Sequence, residues 1–183
     1  MILIDNIEKY STKRNIIIGF FVVLFISVIV FPSFPKLFND NKVNDVLDLK
    51  FGFTIDTVHN SLSNMKVNGR TAYFFSTIII DIPYAIIYGF VSSLIIIFFL
   101  NKLEIHKAYK LLVFMPLLTS LFDLIENFGI INFIVEFPVI ESSFVYYISL
   151  SNNLKWICAL ITFMIVLIII IKYLKHLRKL KAT

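Results

Sequence analysis

Residues 70–92, RTAYFFSTIIIDIPYAIIYGFVS, constrain the fold more than any other stretch of the chain. The segment is apolar enough to cross a bilayer, yet it carries Asp81 near its middle. At about 100° per residue, Arg70, Tyr73, Thr77, Asp81, Tyr84, Tyr88 and Ser92 fall within roughly a third of a turn of one another. The remaining faces are Ile, Phe, Ala and Val. An ionisable side chain in hydrocarbon costs about 2.5–3.5 kcal/mol on insertion scales, so the stripe turns inward and seeks partners. The rest of the chain is expected to pack around it.

Composition points the same way. Of 183 residues, 58% are hydrophobic and 16% are charged. A soluble domain carries about 45–50% apolar and 25% charged residues. The class implied is a polytopic membrane protein, read as a single membrane domain over residues 1–183. The net charge of +5 does not point to nucleic acid, because the basic residues flank apolar runs instead of forming one patch. The single cysteine, Cys158, allows no intramolecular disulfide and suggests no thiolate metal site. Abundant Ile, Lys and Asn fit an AT-rich bacterial genome.

The expectation is an all-α bundle of four transmembrane helices at about residues 16–32, 72–100, 111–134 and 153–173. The first run closes at Pro32 and nearly spans a ~30 Å core. No small-residue cleavage site follows it and three more spans come after, so it reads as a retained signal-anchor helix. Residues 33–69 form the only sizeable polar segment, expected to make a small extracytoplasmic cap. Within it Thr54 can cap a short helix whose Ile55, Val58, Leu62 and Met65 share one face. Asn68-Gly69 reads as a turn. Pro83, two residues after Asp81, is expected to kink the second span beside the acid. The fourth helix begins between residues 140 and 154. If it is continuous through Asn152 and Asn153, then Ser151, Asn152, Lys155, Cys158 and Thr162 share a face.

Orientation follows from the flanks. With both termini cytoplasmic, eleven basic residues lie inside (Lys9, Lys13, Arg14, Lys102, Lys107, Lys110 and five in the tail). Six lie outside: Lys36, Lys42, Lys50, Lys66, Arg70 and Lys155. The positive-inside rule favours this arrangement in the cell membrane, and the tail KYLKHLRKLK suits anionic headgroups.

Helix rise then gives depth. Asp81 lies ~15 Å below the outer end of its helix, Asp123 and Glu126 lie ~20 and ~24 Å above Lys110, and Lys155 lies ~25 Å above Lys172. The candidate polar cluster is therefore Arg70, Tyr73, Asp81, Tyr84, Tyr88, Asp123, Glu126, Asn127 and Lys155, in the outer half of the bilayer. Arg70 and Lys155 are the nearby cations available to its acids. Such a cluster can hold a bundle together. It also suits recognition of a cationic or hydroxylated amphiphile, proton-coupled movement, or acid–base chemistry on a lipid-like substrate. No HExxH, GxSxG, Gly-rich phosphate loop or Cys/His ligand set is present in the sequence. His59, His106 and His176 are scattered, and no metal or other cofactor is expected.

The strings LDLKFGFT (47–54), NGRTAY (68–73), Asp81-Ile82-Pro83, PLLTSLFDLIEN (116–127) and NLKW (153–156) together resemble an uncharacterised family of bacterial four-helix integral membrane proteins. The resemblance covers most of the chain. It implies that the cluster residues belong to that family's motifs, and it names no substrate. The sterol-isomerase-like four-helix fold also buries acids, but its motif residues are not recognisable here. The leading functional expectation is a non-enzymatic binding or accessory protein whose partners are membrane lipids and a small amphiphilic ligand or a membrane-protein partner. The alternative is an integral-membrane enzyme or small proton-linked transporter using Asp81, Asp123 and Glu126.

Overall fold

The computed structural model describes residues 2–33 and 46–182. Among them the protein is all-helical, with six helices and no strand. In chain order these are α1 (Ile2–Tyr10), α2 (Lys13–Ser33), α3 (Ile55–Asn64), α4 (Lys66–Lys102), α5 (Phe114–Glu136) and α6 (Ser142–Ala182). A 3-10 segment, Lys107–Val113, leads into α5. Four helical stretches are long and apolar enough to cross a membrane: Lys13–Ser33, Lys66–Lys102, Ala108–Glu136 and Ser142–Leu180.

Two of these helices carry a π turn, at Ile26–Val30 and at Thr77–Asp81. Each ends two residues before a proline, Pro32 and Pro83. Proline lacks the N–H that would reach the carbonyl four residues back, and its ring crowds that carbonyl. The carbonyls concerned belong to Val28 and Ile79, the middle residues of the two π turns. The helix widens there to bonds spanning five residues, Phe31 N–H to the Ile26 carbonyl and Ile82 N–H to the Thr77 carbonyl. Asp81 is the last residue of the second widened turn, so the irregularity expected from Pro83 falls at the acid itself.

Small residues let the long helices approach closely. A Cβ on Gly19 would stand 2.5 Å from a Val91 methyl, one on Gly89 would stand 2.6 Å from the Ser120 Cβ, and one on Gly129 would stand 2.5 Å from Ile148. These contacts join α2 to α4, α4 to α5, and α5 to α6. The Ser120 hydroxyl donates to the Ala85 carbonyl at 2.8 Å across the second of them.

Two apolar cores form along the bundle. One combines Leu47, Phe53, Val58, Leu62 and Met65 of the 46–65 region with Tyr73, Ile130, Phe133, Val145 and Ile148. Thr54 caps α3 by accepting from Thr57 N–H, as its sequence suggests. The other core, near the opposite end, combines Ile7 with Leu94, Ile96, Ile97, Leu100, Val113 and Ile169. The polar cluster lies between them.

Several expected boundaries shift. Asn68-Gly69 is not a turn: both residues lie within α4, and the chain breaks at Lys66, whose φ is 54°. Two bonds hold this corner, from Gly69 N–H to the Met65 carbonyl (3.1 Å) and from Arg70 Nη1 to the Leu62 carbonyl (2.9 Å). The fourth long helix starts at Ser142, well before 153. It runs through Asn152 and Asn153 and carries the basic tail as helix. Helix α2 continues through Pro32 to Ser33. The N-terminal segment is itself a helix, α1. It is held by an ion pair between Glu8 and Lys110 (2.7 Å) and by the Ser11 hydroxyl donating to the Leu94 carbonyl (2.8 Å). The first part of the expected cap, residues 34–45, lies outside the described residues.

Candidate functional site

Lys155 organises the centre of the cluster. Its ammonium lies 2.6 Å from Glu126 Oε2 and 3.5 Å from Asp123 Oδ1, and it donates to the Asp48 backbone carbonyl at 3.0 Å. Lys155 is thus ion-paired with two carboxylates and hydrogen-bonded to one backbone carbonyl. Glu126 is fully buried, and its second carboxylate oxygen accepts from Asn152 Nδ2 at 2.8 Å. Asn152 in turn accepts from Gly52 N–H at 2.7 Å. The second oxygen of Asp123 accepts from the Tyr88 hydroxyl at 2.9 Å. Helices α4, α5 and α6 thus meet through one continuous polar network.

Segment 46–53 closes this network from the side of the first core. The Tyr73 hydroxyl donates to Asp48 Oδ1 (2.8 Å) and accepts from Leu47 N–H (3.0 Å). Phe53 N–H donates to the Ser149 hydroxyl (2.8 Å), and the Trp156 indole donates to the Lys50 carbonyl (2.9 Å). Gly52 adopts φ +74°, and a Cβ there would meet Asn153 Oδ1 at 2.9 Å. Glycine suits both the left-handed backbone and the close approach to α6.

Asp81 differs from the other acids. It is 9% exposed, on the α4 stripe above Tyr84 and Tyr88, and it feels the charges of Asp48, Asp123, Glu126 and Lys155. Among the described residues, none donates a hydrogen bond to its carboxylate or forms an ion pair with it. Among the described residues four acids, Asp48, Asp81, Asp123 and Glu126, thus lie around one cation. Below them lies a half-open cavity of about 270 Å³ between α4, α5 and α6, with Tyr88, Thr119 and Thr162 in its wall. The Thr162 hydroxyl is buried there without a partner.

The expected site residues divide into groups. Tyr88, Asp123, Glu126 and Lys155 are linked directly. Tyr73 joins through Asp48. Tyr84 instead shares a 2.8 Å hydrogen bond with Ser27 of α2, and its ring lies 5.3 Å from that of Tyr88. Asn127 is buried beside Glu126 in sequence, with its amide nitrogen unpartnered. Arg70 is not joined to the acids: its guanidinium bonds the Leu62 carbonyl and stacks 4.6 Å over the Phe137 ring. Among the described residues that leaves Lys155 as the cation paired with the cluster. Asp48 and Asn152 are the members missing from the expected set. Asn152 shares a helix face with Lys155. Asp48, a loop acid in a polar segment, shows no such signal. The flanks of the stripe, Ile78, Ile79 and Ile86, are exposed on the bundle surface.

Among the described residues no three of His, Cys, Asp and Glu are grouped to hold a metal ion. No family model, curated protein or solved structure matches this chain.

Proposed function

We propose that this is a multi-pass cell-membrane protein that binds a small amphiphile drawn from the bilayer, at the acid cluster in the outer half of the membrane. The observation that carries this reading is Asp81. A buried carboxylate without a partner is costly in an apolar surround, and such residues are kept where a ligand or a proton supplies what the protein does not. The direction of access supports an amphiphile. The core of Leu47, Phe53, Val58 and Leu62 closes one end of the cluster, whereas the cavity on the other side is half open among apolar side chains.

In this reading four helices cross the membrane, both termini are cytoplasmic and the 33–69 region is an extracytoplasmic cap. Two aromatic groups support that placement. Tyr146, Tyr147 and Trp156 are exposed towards the cap end, and Tyr10 and Tyr109 are exposed towards the opposite end. Tyrosine and tryptophan favour the two membrane–water interfaces. The exposed apolar band between them, including Phe163, Met164 and Ile168 on α6, suits lipid contact.

Native mass spectrometry of protein extracted gently from its own membrane tests the reading. The expected spectrum carries a non-covalent adduct on the wild-type chain that is lost from Asp81→Asn. A wild-type spectrum with the polypeptide mass alone, or an adduct equally present on Asp81→Asn, contradicts it.

A further inference from the structure

We infer that the ligand is a single-chain aliphatic amine, with its ammonium between Asp81 and Asp123 and its chain in the cavity below Tyr88. This rests on the binding reading above and specifies its chemistry.

The head group follows from charge and hydrogen-bond accounting. Lys155 is committed to Glu126, Asp123 and the Asp48 carbonyl, at 2.6, 3.5 and 3.0 Å. Its ion pairs are with Glu126 and Asp123, and it forms none with Asp81. Among the described residues the cluster holds four acids to one cation, so at least one acid lacks a counter-charge; an anionic head would worsen that imbalance and a neutral hydroxyl would leave it unchanged. An ammonium offsets it, and charge-assisted bonds of this kind are the stronger ones. The aromatic setting favours the same choice. The Tyr84 ring lies 5.3 Å from that of Tyr88 and 5.2 Å from that of Phe31, on the stripe directly below Asp81. Aromatic faces attract cations.

The tail follows from the cavity. Its volume of about 270 Å³ falls just under the ~300–1,000 Å³ of ordinary small-molecule sites. It suits one chain. Ile95, Ala159, Phe163 and Val166 line it with apolar surface, and Tyr88 stands at the end nearest Asp123. One polar group in the wall, nine-tenths buried, marks the cavity as incomplete without an occupant: the Thr162 hydroxyl, which has no partner among the described residues. The half-open side lets the chain enter from hydrocarbon, so the ligand need not pass the cap.

Three probes with the same ten-carbon chain separate the possibilities: decylamine, decanol and decanoate. Each is titrated into the full-length protein in a neutral maltoside detergent while the thermal midpoint is followed. Decylamine should raise the midpoint saturably, with half-saturation at least tenfold below that of decanol, and decanoate should have no effect at the same concentration. Asp81→Asn should weaken decylamine at least tenfold and leave decanol unchanged. Ala159→Phe, which fills the cavity, should weaken decylamine and decanol alike. Circular dichroism checks that this variant keeps its helix content, and Ala159→Leu replaces it if it does not.

Equal affinity for decylamine and decanol, or decylamine binding that ignores Asp81→Asn, overturns the amine and leaves amphiphile binding standing. Decylamine binding that ignores the Ala159 variant overturns the placement of the chain. Failure of all three probes, together with a native spectrum free of adducts, overturns the amine and the binding reading together.

Discussion

Lys155→Met removes the cation that pairs with Glu126 and Asp123 while keeping most of the side-chain volume. It leaves Glu126, fully buried, without the ammonium 2.6 Å away, and it leaves the Asp48 carbonyl without its 3.0 Å donor. Breaking a buried pair by removing one partner costs about 3–5 kcal/mol. At ~2–4 °C per kcal/mol for a chain of this size, the midpoint in detergent should fall by roughly 6–20 °C. Glu126→Gln is the useful second substitution, because glutamine keeps a carbonyl oxygen for the Asn152 amide and removes only the charge. In that background Lys155→Met should cost less, with a coupling energy of ~1–3 kcal/mol. Asp123→Asn should show weaker coupling, consistent with its 3.5 Å separation from Lys155. The assay is a double-mutant cycle on thermal unfolding of the purified protein. Equal losses from Lys155→Met in the wild-type, Glu126→Gln and Asp123→Asn backgrounds would refute the network and leave α6 with no electrostatic part in it.

Three further outcomes are expected. Gly52→Ala places a Cβ at a φ of +74° and 2.9 Å from Asn153 Oδ1, so it should cost about 1–3 kcal/mol and expose segment 46–53 to limited proteolysis that the wild type resists. Gly89→Val forces α4 from α5, where even a Cβ would stand 2.6 Å from that of Ser120; a loss of roughly 1–3 kcal/mol in unfolding free energy is expected. Cysteines introduced at Leu49 and Glu104 in a Cys158→Ser background should be labelled by impermeant maleimide from outside and inside the cell respectively. The reverse pattern would invert the topology.

Much of this architecture is legible in the sequence because apolar runs and a polar stripe are periodic signals. Arg70 to Ser92 shows its buried face at helical spacing, and Ser151, Asn152, Lys155, Cys158 and Thr162 are all buried on α6 as their spacing suggests. What escapes is set by tertiary contact. Asp48 looks like any solvated loop acid until Tyr73 reaches across from α4 to bond it. Arg70 looks like the natural counter-ion of Asp81, yet the left-handed break at Lys66 brings the Leu62 carbonyl and Phe137 within its reach first. The same break explains why Asn68-Gly69, a strong turn signal by composition, is helical. Helix α1 does leave a local trace, Ile4 and Ile7 with Asp5 and Lys9 four apart, but nine residues make a marginal helix until the core around Leu94 and Ile97 accepts Ile7.

The central claim is that Asp81, without a partner among the described residues, serves a ligand and does not act as a structural counter-charge. Thermal unfolding of delipidated Asp81→Asn beside the delipidated wild type tests this most directly. Asparagine removes the cost of burying an ionisable acid at little change in volume, so the account predicts a variant more stable by about 1–3 kcal/mol, a midpoint several degrees higher. A variant destabilised to the extent of Lys155→Met would contradict it, because Asp81 would then be a member of the structural network.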